Sequence, residues 1–217
     1  MIKEYYNYSL FILPNNIFYS TGTDGEYYGC YSNSFGTNCY SNTFGKECLL
    51  NTFGNNCHSN ILGYRCISNT FGNVCESNTL GYGCSANIFG HGCVSNTLDY
   101  GCFSNTFNYG CFSNTFGNSC YSNAFGEGCK FNTFGNSCGG NTFGNNCDSN
   151  TFEGGCESNI FGNLCQLNTF GNECFLNTFG NNCNSNTFGN DCTSNTFGND
   201  CNYNIFEGSC NSNTFGG

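Results

Sequence analysis

The sequence predicts an all-β fold, a single-chain parallel β-solenoid (β-helix) wound from nine-residue repeats at two repeats, 18 residues, per coil. Three observations carry that expectation. The 21 cysteines stand nine apart from Cys30 to Cys210, and the residue three after each is asparagine, from Asn33 to Asn213. Two residues beyond each asparagine stands Phe in 18 units and Leu in the other three, Leu62, Leu80 and Leu98. Three columns hold while six drift, without insertion over residues 30–217. A stack of like coils reads this way in one dimension, because each unit meets the same neighbours above and below.

Coil length follows from what one unit can enclose. Nine residues are used up by two short strands and two corners, which cover one side of a core. Two units close a flattened coil with two parallel sheets facing each other. The three leucines lie 18 apart, and each is followed two residues later by tyrosine, Tyr64, Tyr82 and Tyr100. Neighbours in a stack change together, whereas a triangular coil of three units would scatter the leucines over different columns. At a strand spacing of about 4.8 Å, ten or so coils make a rod on the order of 50 Å long.

Within a unit, side-chain alternation along a strand sets the facing. If Phe188 points inward, so does Asn186, and Thr187 points out. Gly189-Asn190 forms a corner, Cys192 returns inside between outward Asp191 and Thr193, and Ser194 turns the chain into the next asparagine. The predicted interior is therefore Phe35, Phe44, Phe53, Phe188 and Phe197, with Cys30, Cys39, Cys48, Cys192 and Cys201, and with Asn33, Asn42, Asn51, Asn186 and Asn195, and the same columns between. Phe supplies the buried area and stacks along the axis. Asn at a buried corner satisfies the backbone of adjoining coils and builds a ladder. Gly after Phe is expected to provide positive φ, and Asp99, Asn108, Glu153 and Glu207 replace it in four units.

Residues 1–29 lack the repeat and are expected to form an N-terminal cap over the open end of the coil, whose backbone groups and apolar section need cover. Asn16-Ile17-Phe18 reads as a decayed unit, and Thr21-Gly22-Thr23-Asp24-Gly25 as a turn before the array. The apolar run Leu10 to Leu13 is too short for a signal-peptide core, and no stretch reaches membrane-spanning length. Folding in a reducing cytoplasm is the expectation.

Composition excludes several function classes. With Lys3, Lys46, Arg65 and Lys130 against 14 acidic residues, net charge −10, neither nucleic acid nor an anionic membrane is an expected partner. Aromatic residues at 18% in a fixed register argue against disorder. Same-column cysteines sit a strand spacing apart, about 4.8 Å, against about 3.8 Å between the Cβ atoms of a disulfide, so free buried thiols are expected. No Cys-x-x-Cys pair occurs, and His58 and His91 do not repeat, so no metal or cofactor is expected. The nonapeptide length matches the calcium-binding β-roll, but only Asp191 and Asp200 recur in one acidic position. Two isolated histidines build no catalytic triad, and no enzyme activity is expected.

Two exposed features bear on binding. Thr fills the place after Asn in 15 of 21 units, with Ile61, Ile88, Ile160, Ile205, Ser34 and Ala124 in the rest. This outward row resembles the ice-binding face of insect and bacterial antifreeze solenoids, although those present two Thr ranks and this unit one; Thr is also a good strand residue. The residue after cysteine, on one side of the coil, reads Tyr31, Leu49, Ile67, Ser85, Phe103, Tyr121; on the other it reads Tyr40, His58, Glu76, Val94, Phe112, Lys130. The first is an apolar contact stripe, expected to meet a second copy or another structural protein. The chain stops in mid-unit at Phe215-Gly216-Gly217, which implies a final coil covered by another chain or a piece of something longer.

The run of Asn-Thr-Phe-Gly-Asn-x-Cys-x-Ser units over residues 30–217 resembles low-complexity β-solenoid segments in tail fibres of tailed bacteriophages and in adhesin-like proteins. That resemblance implies a stiff shaft or surface spacer, on a virion or cell surface, with no catalytic residues to carry over. The function expected is a self-associating structural rod; the alternative is ligand binding, to ice or polysaccharide, along the Thr row.

Overall fold

The structure, a computed structural model, describes residues 30–217 together with the backbone of four two-residue strands before them, Ser9–Leu10, Ile17–Phe18, Ser20–Thr21 and Tyr27–Tyr28. In every repeat the two residues after asparagine form a strand, and alternate repeats feed two parallel sheets. One sheet has twelve strands, from Ser9–Leu10 to Thr214–Phe215; the other has eleven, from Ile17–Phe18 to Ile205–Phe206. Thr79 lies on Thr97 and Leu80 on Leu98, so a coil holds two units, not three. Single-residue bridges, such as Leu49 to Ile67 and His58 to Glu76, build two further ladders between the sheets over residues 31–130, and one more bridge joins Glu157 to Phe175. The coil is therefore four-sided, with sheets on two sides and bridge ladders on the other two.

Most of the predicted cap, 1–29, lies outside the described residues, as do Asn16 and the expected turn at 22–25. Ile17–Phe18 pairs in register with Thr43–Phe44 and takes a repeat's place in the second sheet, while Ser9–Leu10 pairs with Ser34–Phe35. Ser20–Thr21 and Tyr27–Tyr28 form an antiparallel pair.

Inside, Phe rings stack along each sheet and meet edge to face across the core. Phe143 stacks on Phe161 at 4.6 Å with planes 4° apart, and meets Phe152 of the opposite sheet at 5.6 Å and 80°. The repeat imposes the parallel stack; the cross-core contacts adopt the edge-to-face geometry that aromatic quadrupoles favour. Leu62, Leu80 and Leu98 interrupt only the second sheet's column and are fully buried.

Hydrogen bonds run almost entirely along the axis. Ile88, Gly90 and Val94 donate backbone N–H to Asn69, Phe71 and Cys75 of the preceding coil, while Gly92 and Ser95 donate to Tyr109 and Phe112 of the following one. The buried asparagine completes the set. Asn87 donates from Nδ2 to the Cys66 carbonyl at 2.9 Å and to Asn105 Oδ1 at 3.0 Å. Its own Oδ1 accepts from the Asn69 backbone N–H and from Asn69 Nδ2, both at 3.0 Å. All four hydrogen-bonding positions of the amide are used. Asn33 Oδ1, first of its column, has no partner among the described residues.

The glycine after Phe acts differently from the sequence expectation. Its φ is not positive, and neither is that of Asp99, Asn108, Glu153 or Glu207 in the same place. A Cβ added at Gly54 would come within 2.7 Å of the Thr37 N and 2.8 Å of the Gly36 carbonyl carbon, because the preceding coil passes directly beneath. Clearance, not backbone freedom, favours glycine there, although the units of Asp99, Asn108, Glu153 and Glu207 accommodate a Cβ at the same place. Positive φ falls instead on the residue before each cysteine from Cys39 onward and on the residue two after each cysteine, as in Val74 at 57° and Ser77 at 54°.

Two stability predictions follow from this geometry. Asn87→Ala strands the Asn69 N–H and one Asn69 Nδ2 hydrogen in a dry corner, so guanidinium denaturation is expected to show a loss of about 1–3 kcal/mol for each. Val74 is β-branched, held at φ 57° and 54% exposed. Val74→Asn relieves left-handed strain and is expected to gain about 1 kcal/mol in the same measurement.

Candidate interaction faces

The residues predicted for the interior lie there. Phe35, Phe44, Phe53, Phe188 and Phe197 are buried, as are Cys39, Cys48 and Cys192 and Asn33, Asn42, Asn51, Asn186 and Asn195. Cys30 and Cys201 are partly buried against the same core. These columns maintain the coil, so the variable surface lies at the outward positions.

All 21 cysteines are free thiols, and all but Cys30, Cys201 and Cys210 are buried. They do more than fill space. Cys111 Sγ donates to the Gly90 carbonyl of the preceding coil at 3.2 Å, and Cys66 Sγ accepts the Cys48 backbone N–H at 3.4 Å. Burial pushes the Cys30 thiol up to about 11 and Cys192 up to about 12, from the ordinary 9.0. Among the described residues, no group of three or more His, Cys, Asp or Glu is placed to hold a metal ion, and no helix is long and apolar enough to cross a membrane.

Each sheet presents one outward file. In the first it runs Ser34, Thr52, Thr70, then Ile88, Thr106, Ala124 and onward; in the second, Thr43, Ile61, Thr79 and onward. The Thr rank is thus single on each sheet, and Ile88, Ile160, Ile61 and Ile205, each 43–58% exposed, break it.

The bridge ladders bring the predicted stripe together. Tyr31, Leu49, Ile67, Ser85, Phe103 and Tyr121 lie one on the next up one side of the coil. Tyr31, Ile67 and Tyr121 are 38–47% exposed, and the Phe103 and Tyr121 rings stack at 5.1 Å. The opposite ladder carries the ion pair Lys130 Nζ to Asp148 Oδ2, 2.6 Å.

Two outward features are not read from the sequence, where Tyr64, Tyr82 and Tyr100 serve only to set the length of the coil. A second asparagine ladder runs outside, in the place after glycine: Asn163, Asn181 and Asn199 donate backbone N–H to Oδ1 of Asn145, Asn163 and Asn181 at 2.8–2.9 Å. Asn recurs visibly at that place; the signal was there but carried no direction. The other is the column Lys46, Tyr64, Tyr82, Tyr100, which flanks the apolar stripe on the same side of the coil. Tyr64 and Tyr82 stack at 4.7 Å, with Lys46 Nζ 5.6 Å from the Tyr64 ring centre. These tyrosines widen the stripe into a face.

No family model matches the chain, and no curated protein matches it. Among solved structures it is similar to a mutant tailspike protein of E. coli bacteriophage HK620 in complex with pentasaccharide, at 12% identity and TM-score 0.30, over 93% of this chain and 46% of that one. It is also similar to the Streptococcus pneumoniae surface protein and adhesin PfbA, at 9% identity and TM-score 0.28, over 96% of this chain and 83% of that one. The chain spans about half the length of the tailspike it matches.

Thiol protection gives the test of this interior. A folded pKa raised above the unfolded 9.0 means that the folded chain holds the proton more tightly. The stability from Cys30 and Cys192 is fully present below pH 9.0 and is lost as pH rises to about 11 and about 12. Denaturation midpoints taken from pH 8 upward are expected to fall through that window. Disulfide-exchange reagent at pH 8 is expected to label the buried thiols only after denaturant is added.

Proposed function

We propose that the protein is a structural rod, a stiff shaft or surface spacer, that associates with itself through one side and catalyses no reaction. One observation carries this reading: four backbone N–H groups of each nine-residue unit bond to adjoining coils throughout, from Ser32 to Gly216, and a fifth, on the residue after cysteine, does so from Leu49 to Lys130. Bending or stretching such a column means breaking several bonds per coil together. The interior chemistry is uniform, and the variable residues face outward, where a spacer makes its contacts. The broad apolar face around Ile67, Phe103 and Tyr121 supports self-association.

Amide hydrogen exchange and sedimentation test the two parts separately. A rod is expected to show even protection, within about tenfold in rate, at the amides between Cys39 and Phe197 that bond to adjoining coils. A block of fast-exchanging coils in mid-array would end the stiff-rod reading. A sedimentation coefficient constant over a hundredfold range of concentration would end the self-association reading.

A further inference from the structure

The side that follows the second sheet carries, in order along each coil, the column that begins Lys46, Tyr64, Tyr82, the column that begins Glu47, Arg65, Gly83, and the bridged stripe. Its chemistry changes along the axis. The first half is aromatic and holds Arg65; the second half holds Glu157, Glu173 and Asp191, all exposed, and two pairs without side chains, Gly139-Gly140, beside which Glu157 lies, and Gly154-Gly155. Arg65 and Glu173 form no ion pair among the described residues.

Resting on the self-association reading, we propose that this side binds the same side of a second copy, with the two rods antiparallel about a twofold axis through the coil of Ser119 and Tyr121. A twofold axis lying across both rods keeps each column opposite itself and reverses its direction, so residues equal numbers of coils before and after the axis meet. Arg65 and Glu173 stand three coils either side of Ser119 and form opposite-charge pairs, two per dimer. In the stripe, Ile67 and Phe175 stand three coils either side of Tyr121 and meet as apolar partners.

Shape matches as well as charge. Phe103, one coil before the axis, faces Gly139, one coil after it; Tyr82, two coils before the axis, faces Gly154, two coils after it. Tyr82 is 45% exposed, and Gly140 and Gly155 hold positive φ beside their partners in each pair. Large rings therefore fall opposite missing side chains, and on the axis Tyr121, 47% exposed, meets its own copy. Four coils out, Glu47 meets Asp191, a like-charge pair that limits the contact to about three coils each way, roughly 30 Å at the strand spacing. An interface of that length is small, which predicts a concentration-dependent equilibrium between monomer and dimer.

Sedimentation equilibrium on the full chain tests the pairing, with circular dichroism to verify that each variant is folded. Arg65→Glu and Glu173→Arg are each expected to weaken the dimer about tenfold, since each change turns both charge pairs repulsive. The double variant carrying both is expected to recover wild-type association to within about threefold. Ser119→Cys, on the axis, is expected to give a covalent dimer on oxidation, and Ser137→Cys alone is not. A wild-type dimer unmoved by either charge reversal, or cross-linked equally through Ser137→Cys, overturns the antiparallel pairing and leaves self-association standing. A wild-type monomer at all concentrations overturns both, whatever glycan or other protein that face binds.

Discussion

The structure depends on one interaction, the buried asparagine amide with all four of its hydrogen-bonding positions filled by neighbouring coils. A four-sided coil must turn sharply, and a turn exposes backbone groups to the interior, where leaving one unpaired costs more than most single contacts return. Asn is the side chain that meets the demand. Aspartate has no donor to give, serine has one, and glutamine carries its amide one methylene further out, off the positions these bonds define. With the amides in place, the spacing of coils is set, and Phe rings separated by 4.4 to 5.3 Å along each sheet follow from it. The cysteines complete the arrangement as small apolar groups that also donate and accept, which serine would match only with less buried apolar surface.

Much of this is legible in the sequence. Columns of Cys, Asn and Phe announce stacking, and the leucines at 62, 80 and 98 announce the coil of 18. The role of the glycine was not legible, because a sequence shows that a small residue is needed and not whether a torsion or a neighbour demands it. Val74, Leu164 and Glu173 hid the positive-φ corner, since none is a residue that favours that conformation. The outward stripe could be read by splitting units between two sides. The widening of that stripe by Tyr64 and Tyr82 needed the corner geometry, which places the two columns on one side of the coil.

The division of labour between inside and outside follows from the repeat. Interior places are seen by near-identical neighbours and vary little; the three leucines lie one on the next, with Phe44 and Phe116 at the ends of their run. Outward places answer to nothing in the coil except backbone conformation and solubility. Charge, aromatic surface and bare backbone can thus be distributed along the axis at little cost to folding, so any specificity of the molecule sits in its drifting positions.

The interior repeats every nine residues, whereas the exterior sides repeat every eighteen. Replication slippage that adds or removes two units would lengthen or shorten the molecule and keep each exterior column intact. Slippage by a single unit would also leave every Phe, Cys and Asn correctly housed, yet everything downstream would be carried half a turn around the axis. The molecule could in this way exchange one exterior for another in a single genetic step, without passing through an unfolded ancestor.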